Sequence, residues 1–205
     1  MNPFANALGR RLIVPMKSAT LPEPPKAPRL WTYDEMVAEL PESNLPMELW
    51  EGELIMSPTP TPSHQRIVMN LLLVLNKHVE TKGAGTVFVS PLDVVLTQRR
   101  VVQPDLFFVA TTNQSIIQDR IRGVPDLTVE IISPGTRKRD RVERKALYQQ
   151  AGVKEYWLVD PENQTIEVFA LVKGEFQLHS QAEGSEVAKS KLLTGFKVSF
   201  RELQA

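Results

Sequence analysis

Two isolated carboxylates lie within stretches of the sequence that are otherwise apolar. Asp105 follows Gln103-Pro104 inside the run VVQPDLFFV, and Glu130 interrupts the run from Leu127 to Ile132. A buried carboxylate is expensive unless it is paired or bound to a metal, and a divalent cation shared by both acids would offset that cost. A small set of oxygen ligands favours Mg²⁺ or Mn²⁺. We therefore predict that Asp105 and Glu130 hold a metal.

A basic segment and a lysine-bearing helix follow Glu130 in the chain. A metal between the two acids would polarise a phosphodiester and lower the pKa of an attacking water. Lys145 would then stabilise the negative charge that develops on the phosphoryl group. Four basic residues are predicted to contact a nucleic-acid backbone: Arg137, Lys138, Arg139 and Arg141. Together these residues predict a metal-dependent phosphodiesterase site.

Each of these residues also has an ordinary structural interpretation. Asp105 could cap the amides of a loop, and Glu130 could pair with an arginine inside the fold. Lys145 could be a solvated side chain, and the basic segment could be a charged start of a helix. Pro125-Asp126 repeats the Pro-Asp pair, but it precedes its strand and is predicted to end a turn.

The composition narrows the class of protein without identifying it. The chain has 205 residues, of which 42% are hydrophobic, and this fits one domain with a substantial core. Its 24 basic and 24 acidic residues balance, so net charge gives no indication of an anionic partner. The absence of cysteine excludes disulfides, thiolate zinc sites and cysteine nucleophiles, and it fits a reducing cytoplasm. No apolar run approaches the roughly 20 residues that span a bilayer.

The pattern of prolines and apolar residues predicts an extended arm over residues 1–28 and a single domain over residues 29–205. Thr32 is expected to cap a short helix, Glu51-Gly52 to turn a hairpin, and Ser63 to cap a long helix that ends at Lys82. Asp140 and Glu143 form a potential capping box, which predicts a helix from about Arg141. The strands are predicted at 86–96, 101–109, 127–133, 153–159, 165–172, 176–179 and 196–200. This order predicts an α/β (α+β) domain with a mixed central sheet.

Three segments resemble the Uma2 family, also called DUF820: QPDLFFV, PDLTVEIISPGTRKRD and KALYQQAGVKEYWLVDP. The resemblance runs from about Trp31 to Phe169. It implies a PD-(D/E)XK restriction-endonuclease-like fold, with a mixed sheet flanked by helices and a metal site at one end. Asp105 matches the motif aspartate and Glu130 the acid of (D/E)XK. Ile132 stands where that motif has its lysine, so the resemblance assigns the lysine's role to Lys145 on the next helix.

The resemblance also adds two residues to the predicted site. Glu48 matches the family's glutamate in the hairpin and His64 its histidine at the start of the long helix, although the sequence alone would leave both as ordinary polar positions. The implied function is a Mg²⁺- or Mn²⁺-dependent DNA endonuclease. The alternatives are a nuclease fold kept as a DNA-binding or protein-interaction module, or a metal-free structural protein whose acids pair with internal arginines. The apolar C-terminal hairpins are a candidate homodimer interface.

Overall fold

The structure is a computed structural model that describes residues 29–41, 46–57 and 59–204. The arm predicted over residues 1–28 lies outside the described residues. Four α-helices are present in this part of the chain: α1 (Tyr33–Glu39), α2 (Pro62–Lys82), α3 (Lys145–Ala151) and α4 (Phe200–Gln204). A 3₁₀ stretch covers Thr111–Ile116, and a π-helical stretch, Arg139–Arg144, runs directly into α3. No helix in these three ranges is long and apolar enough to cross a membrane.

The strands form three sheets. In chain order they are β1 (Met47–Trp50), β2 (Glu53–Met56), β3 (Gly85–Val89), β4 (Val94–Thr97), β5 (Arg100–Val102), β6 (Leu106–Ala110), β7 (Ile121–Arg122), β8 (Leu127–Ile131), β9 (Glu155–Asp160), β10 (Thr165–Val172), β11 (Glu175–Glu183), β12 (Val187–Lys189) and β13 (Lys197–Ser199). The larger sheet has the order β11-β10-β9-β8-β6-β3 and the smaller one β2-β1-β5-β4-β7, while β12 and β13 pair separately. The β8–β9 and β4–β7 pairs are parallel and the other pairs are antiparallel, so the predicted mixed-sheet α+β class is confirmed.

The larger sheet lies between two apolar layers. On one face α2 buries Ile67, Leu71 and Leu75 with Trp157 of β9. On the other face α3 and the smaller sheet pack, and Tyr148 is fully buried there. Burial of apolar area on both faces of a sheet is the main favourable term that holds such layers together. The site is therefore built where the two sheets and α2 meet.

Two predicted strands are each divided between the two sheets, which corrects the sequence analysis. The stretch predicted as one strand over 86–96 forms β3 in the larger sheet and β4 in the smaller one. The stretch predicted over 101–109 is divided in the same way into β5 and β6. Pro91 and Pro104 lie at the breaks, because proline has no amide hydrogen for a ladder bond. Asp105 consequently lies at the junction of the sheets, immediately before β6, rather than inside a continuous strand.

The hairpin and the first two helices form close to where they were predicted. Thr32 caps α1 in a capping box with Glu35, and the hairpin turns at Glu51-Gly52. The cap of α2 is Thr61 rather than Ser63, since the Thr61 hydroxyl accepts the amide of His64 at 3.2 Å. This cap begins the helix earlier, with proline at its first position, and fixes His64 in the first turn.

The predicted capping box at Asp140 is wrong. Asp140 lies inside the π-helical stretch, and its amide donates to the carbonyl of Thr136 at 2.9 Å. Its carboxylate is buried and lies 3.1 Å from Nε of Arg144. A residue already within helical backbone is not an N-cap, so Asp140 is a partner of Arg144 instead. Wide π turns of this kind are frequent at functional sites.

The C-terminal region is more regular than predicted. Strand β11 extends to Glu183, beyond the predicted 176–179, and β12 forms where no strand was predicted. The last predicted strand is shorter, β13, and continues into α4. The buried carboxylate of Glu155 accepts the amides of Lys191 at 2.7 Å and Leu192 at 2.8 Å, which ties this region to the larger sheet.

Asp126, predicted to end a turn, is a buried structural anchor. Its carboxylate accepts the amide of Ala110 at 2.8 Å, Nδ2 of Asn113 at 3.0 Å and Nζ of Lys154 at 2.6 Å. Burial raises the pKa of Asp126, but these three donors outweigh it and the net pKa lies below the ordinary value of 3.8.

We expect Asp126→Ala to destabilise the fold by about 3 kcal/mol at pH 7, because buried donors lose their acceptor. Since the folded-state pKa is lowered, this stabilisation is present above the unfolded value of 3.8 and disappears as pH falls through the folded value. Urea denaturation at a series of pH values measures both effects. The exposed Asp119→Ala is the matched control. An equal loss in the two variants at pH 7 would contradict the anchor role.

Candidate active site

Four of the residues predicted from the sequence line one cavity of about 110 Å³. Glu48 comes from β1, His64 from the first turn of α2, Asp105 from the junction of the sheets and Glu130 from β8. Asp140 and Arg144 of the π-helical stretch complete the charged lining. The cavity therefore lies between the two sheets, closed on one side by α2 and on another by the π-helical stretch.

Asp105 is held by one of its two carboxylate oxygens. Oδ2 accepts the backbone amide of Ile131 at 2.8 Å and lies 3.1 Å from Nε2 of His64. The antiparallel register Leu106↔Val129, continued by one residue, places Asp105 opposite Glu130. Within the described residues Oδ1 accepts no hydrogen bond. The amide-capping interpretation of Asp105 thus accounts for one of its two oxygens.

Glu130, like Asp105, makes its hydrogen bonds through only one of its two carboxylate oxygens. Oε1 accepts the hydroxyl of Tyr148 at 2.6 Å and an N–H of Arg144 at 3.0 Å, whereas Oε2 has no hydrogen-bond donor in the described part of the chain. Burial raises the pKa of Glu130 well above 4.5; Arg144 lowers it, and the charges of Asp105 and Asp140 raise it further. The pairing with an internal arginine, left open by the sequence, is therefore present on one oxygen.

Arg144 is the arginine that lines the cavity, a place that the sequence analysis, which counted it only with the basic segment, did not assign to it. Besides Glu130, its guanidinium donates to Oε2 of Glu48 at 2.9 Å and lies 3.1 Å from Asp140. Burial lowers its pKa, but Glu130 and Glu48 raise it well above the ordinary arginine value. The sequence carried one signal for this role, the spacing of four residues from Asp140, which places the two side chains on one helical face.

Lys145 is not brought to the cavity. Its Nζ lies 3.5 Å from the ring centroid of Phe169 on β10, and burial lowers its pKa. Successive residues of a helix point about 100° apart, so the helix that directs Arg144 to Glu130 turns Lys145 toward the face of β10. The transition-state role assigned to Lys145 has no support from this geometry, and Arg144 occupies the corresponding place.

Two of the four predicted nucleic-acid contacts in the basic segment form ion pairs inside the protein. Arg137 and Arg141 lie 2.8 and 3.0 Å from Oδ2 of the buried Asp160, and Arg141 also lies 2.6 Å from Glu167. Lys138 and Arg139 make no ion pair within the residues described, although Arg139 donates to Oγ of Ser57 at 3.3 Å. Of the four predicted nucleic-acid contacts, Lys138 and Arg139 are the two whose charge is not directly paired.

Glu48 and His64 both hold other site residues. Glu48 accepts the amide of Gln103 at 2.7 Å on Oε1, and Nε1 of Trp50 and Arg144 on Oε2, so both of its oxygens are engaged. Burial lowers the pKa of His64, but the hydrogen bond and charge of Asp105 raise it, and the net pKa is raised above 6.5. Nδ1 of His64 is buried without a partner among the residues described.

The donor set is compatible with a divalent cation bound by two carboxylates. The described residues contain no group of three or more His, Cys, Asp and Glu side chains arranged to hold a metal. Mg²⁺, however, is often bound by one or two carboxylates, with waters and substrate phosphate oxygens completing its octahedron. Asp105 and Glu130 both line the cavity, and each has one oxygen without a hydrogen-bond donor among the described residues. The lining has four carboxylates against Arg144 and His64, so a cation would also balance its charge.

The fold and this lining define a protein of the restriction-endonuclease-like class. A crystal structure described as "a putative nuclease belonging to DUF820 from Anabaena variabilis ATCC 29413" matches with a TM-score of 0.70 and 22% sequence identity, over 84% of this chain and 96% of that one. The family model Uma2, described as "Putative restriction endonuclease", matches residues 33–201. The chain belongs to the Uma2 family. No curated protein matches it.

Proposed function

We propose that this protein hydrolyses phosphodiester bonds of DNA with the help of Mg²⁺ or Mn²⁺. The observation that carries the proposal is the pair Asp105 and Glu130, which come from different segments, line the same cavity and each have one oxygen without a hydrogen-bond donor in the described part of the chain. The nuclease-like class to which the family belongs supports the choice of substrate. The cytoplasmic location and a homodimer through the C-terminal hairpins stay predictions.

Each residue of the cavity would have a distinct task. Asp105 and Glu130 would hold the metal, which when bound supplies Lewis-acid activation of the phosphoryl group and a more acidic water. Arg144 orients Glu130 and keeps positive charge beside it. His64, hydrogen-bonded to Asp105, orients that carboxylate and can accept or donate a proton at Nε2. Glu48 fixes Arg144 from the opposite side.

The direct test is cleavage of labelled DNA by the purified protein with Mg²⁺, with Mn²⁺ and with a chelator. We expect metal-dependent cleavage that Asp105→Asn removes, because the variant keeps the shape of the side chain but not its charge. Asp93→Asn is the control, since Asp93 is a half-buried carboxylate that accepts hydrogen bonds from Tyr33 and Gln103 and does not itself line the cavity. Cleavage that persists in Asp105→Asn would overturn the proposal.

A second function is favoured by one observation. The cation nearest Glu130 is an arginine held by three carboxylates, rather than the lysine that the resemblance implied. A site locked in this way fits a nuclease fold that binds DNA without cutting it. Binding of DNA with no cleavage under any metal condition would favour this second function over the first.

A further inference from the structure

We infer that the site accepts a single-stranded or unpaired phosphodiester segment rather than a continuous duplex. The inference rests on the proposed function, because it concerns the form of nucleic acid that reaches Asp105 and Glu130. Three features of the described residues support it: the burial of the acids, the neutral hydroxyl groups of the cavity lining, and the internal pairing of most of the basic segment.

The two predicted metal ligands line a small cavity and are largely buried. Its volume is about 110 Å³, and the exposed fraction of the side chain is 5% for Glu130 and 19% for Asp105. A phosphate within a stacked duplex is fixed on a stiff, regular helix, so bringing it down to these oxygens requires bending the duplex. A single strand has free backbone torsions and can direct one phosphate inward without that cost.

Several side chains of the cavity lining carry neutral hydroxyl groups, among them Ser57, Thr59, Thr61, Ser133 and Thr136. Thr59 and Thr61 are exposed, so they mark the mouth where the cavity meets solvent. Arg139 donates to Oγ of Ser57 at 3.3 Å, and the Thr136 hydroxyl accepts the amide of Ser133 at 3.2 Å. Hydroxyl groups can hydrogen-bond a phosphate but release no counterions.

Within the described residues, most of the charge of the basic segment is already paired. A duplex-binding protein that makes about 6–10 phosphate contacts draws much of its affinity from them. Here Arg137 and Arg141 form ion pairs with Asp160, and Arg144 forms ion pairs with the carboxylates of the cavity. Lys138 and Arg139 are the cations of the basic segment that remain outside ion pairs in the described ranges. They suffice for one or two phosphates beside the one in the cavity.

The test compares binding of a short fluorescein-labelled DNA single strand with binding of the same sequence as a blunt duplex. Fluorescence anisotropy is measured with Ca²⁺ in place of Mg²⁺, so that binding is read without turnover. We expect the single strand to bind at least about tenfold more tightly, because it avoids the bending cost. Its log affinity should fall with log salt at a slope of about −1.4 to −2, as two or three phosphate contacts predict.

A blocking variant shows whether the strand passes through the mouth. Thr59→Trp places a bulky side chain at the rim and should lower single-strand affinity at least about tenfold. Ser63→Trp, on the exposed side of the first turn of α2 and outside the cavity lining, should leave it unchanged.

Equal or tighter duplex binding, no binding of either DNA, or insensitivity to Thr59→Trp would each overturn the inference. Failure of the proposed function is a separate result, since it appears in the cleavage assay. A protein that prefers the single strand but never cuts supports this inference and contradicts hydrolysis. A protein that cuts DNA but binds both forms equally supports hydrolysis and contradicts this inference.

Discussion

Asp105→Asn is expected to lower the affinity for Mn²⁺ at least ~100-fold, since loss of an outer-shell partner alone commonly costs 10–100-fold. The same loss is expected for Glu130→Gln. The asparagine oxygen can still accept the amide of Ile131, so the junction of the sheets stays in place while the charge that attracts the cation is removed. Titration calorimetry measures the binding, and circular dichroism confirms that each variant is folded.

The control for this experiment is Asp93→Asn. Its side chain is 17% exposed, close to the 19% of Asp105, but it bonds Tyr33 and Gln103 and does not line the cavity. We expect it to bind Mn²⁺ like the wild type. Binding that survives both Asp105→Asn and Glu130→Gln would place the metal elsewhere. No binding by the wild type would contradict the metal-dependent function and favour the non-cleaving module.

Arg144→Met is expected to destabilise the protein by about 3–5 kcal/mol, the usual effect of removing one partner from a buried ion pair. The side chain of Arg144 is 6% exposed, and its loss would leave Glu48, Glu130 and Asp140 facing one another without a counter-charge. The measurement is urea denaturation at pH 7. Mn²⁺ added in the same experiment should recover part of the loss, because it would supply positive charge beside Glu130.

The neighbouring substitution Lys145→Met tests the same helix without touching the cavity. The substitution removes one contact between Nζ of Lys145 and the ring of Phe169, which stabilises the fold by about 0.5–1 kcal/mol at a partly exposed site. The two variants remove a cation from adjacent positions, so overall charge changes equally. Similar losses of stability in both would contradict the central place of Arg144.

The acids of the site were predictable because burial makes an isolated carboxylate conspicuous. Asp105 and Glu130 interrupt apolar runs, and only a partner or a cation makes that arrangement stable. Glu48 and His64 had no such signal, since a glutamate in a hairpin and a histidine in a first turn are usually solvated. They were added by the resemblance, and their convergence depends on the packing of β1 and α2 against the larger sheet.

Lys145 was predicted through the family resemblance, whereas Arg144, one residue earlier, is the cation that lines the cavity. An ordinary helix of 3.6 residues per turn, begun at an Asp140 cap, gives a definite phase to each later side chain. The π-helical stretch Arg139–Arg144 widens the turn and changes that phase before α3 begins. Sequence periodicity does not contain this change, and the spacing of four residues from Asp140 was the one sequence signal that favoured Arg144 over Lys145.

The ion pairs of the basic segment could not be predicted from the sequence either. Arg137 and Arg141 meet Asp160 and Glu167, which lie on β9 and β10 and are separated from them by a helix in the chain. Local patterns do not show such distant pairs. The breaks in the two divided strands had a signal in the sequence, because Pro91 and Pro104 mark them. The passage of the chain to a second sheet had none, because it depends on tertiary packing.

The identity of Arg144 sets how the site responds to alkaline solution. A guanidinium keeps its proton throughout the range in which proteins remain folded, whereas a lysine ammonium begins to release its proton as the solution becomes strongly basic. The counter-charge for Glu48, Glu130 and Asp140 is therefore permanent. Any decline of activity on the basic limb of a pH–rate profile would have to originate in another group, such as His64 or a water bound at the metal.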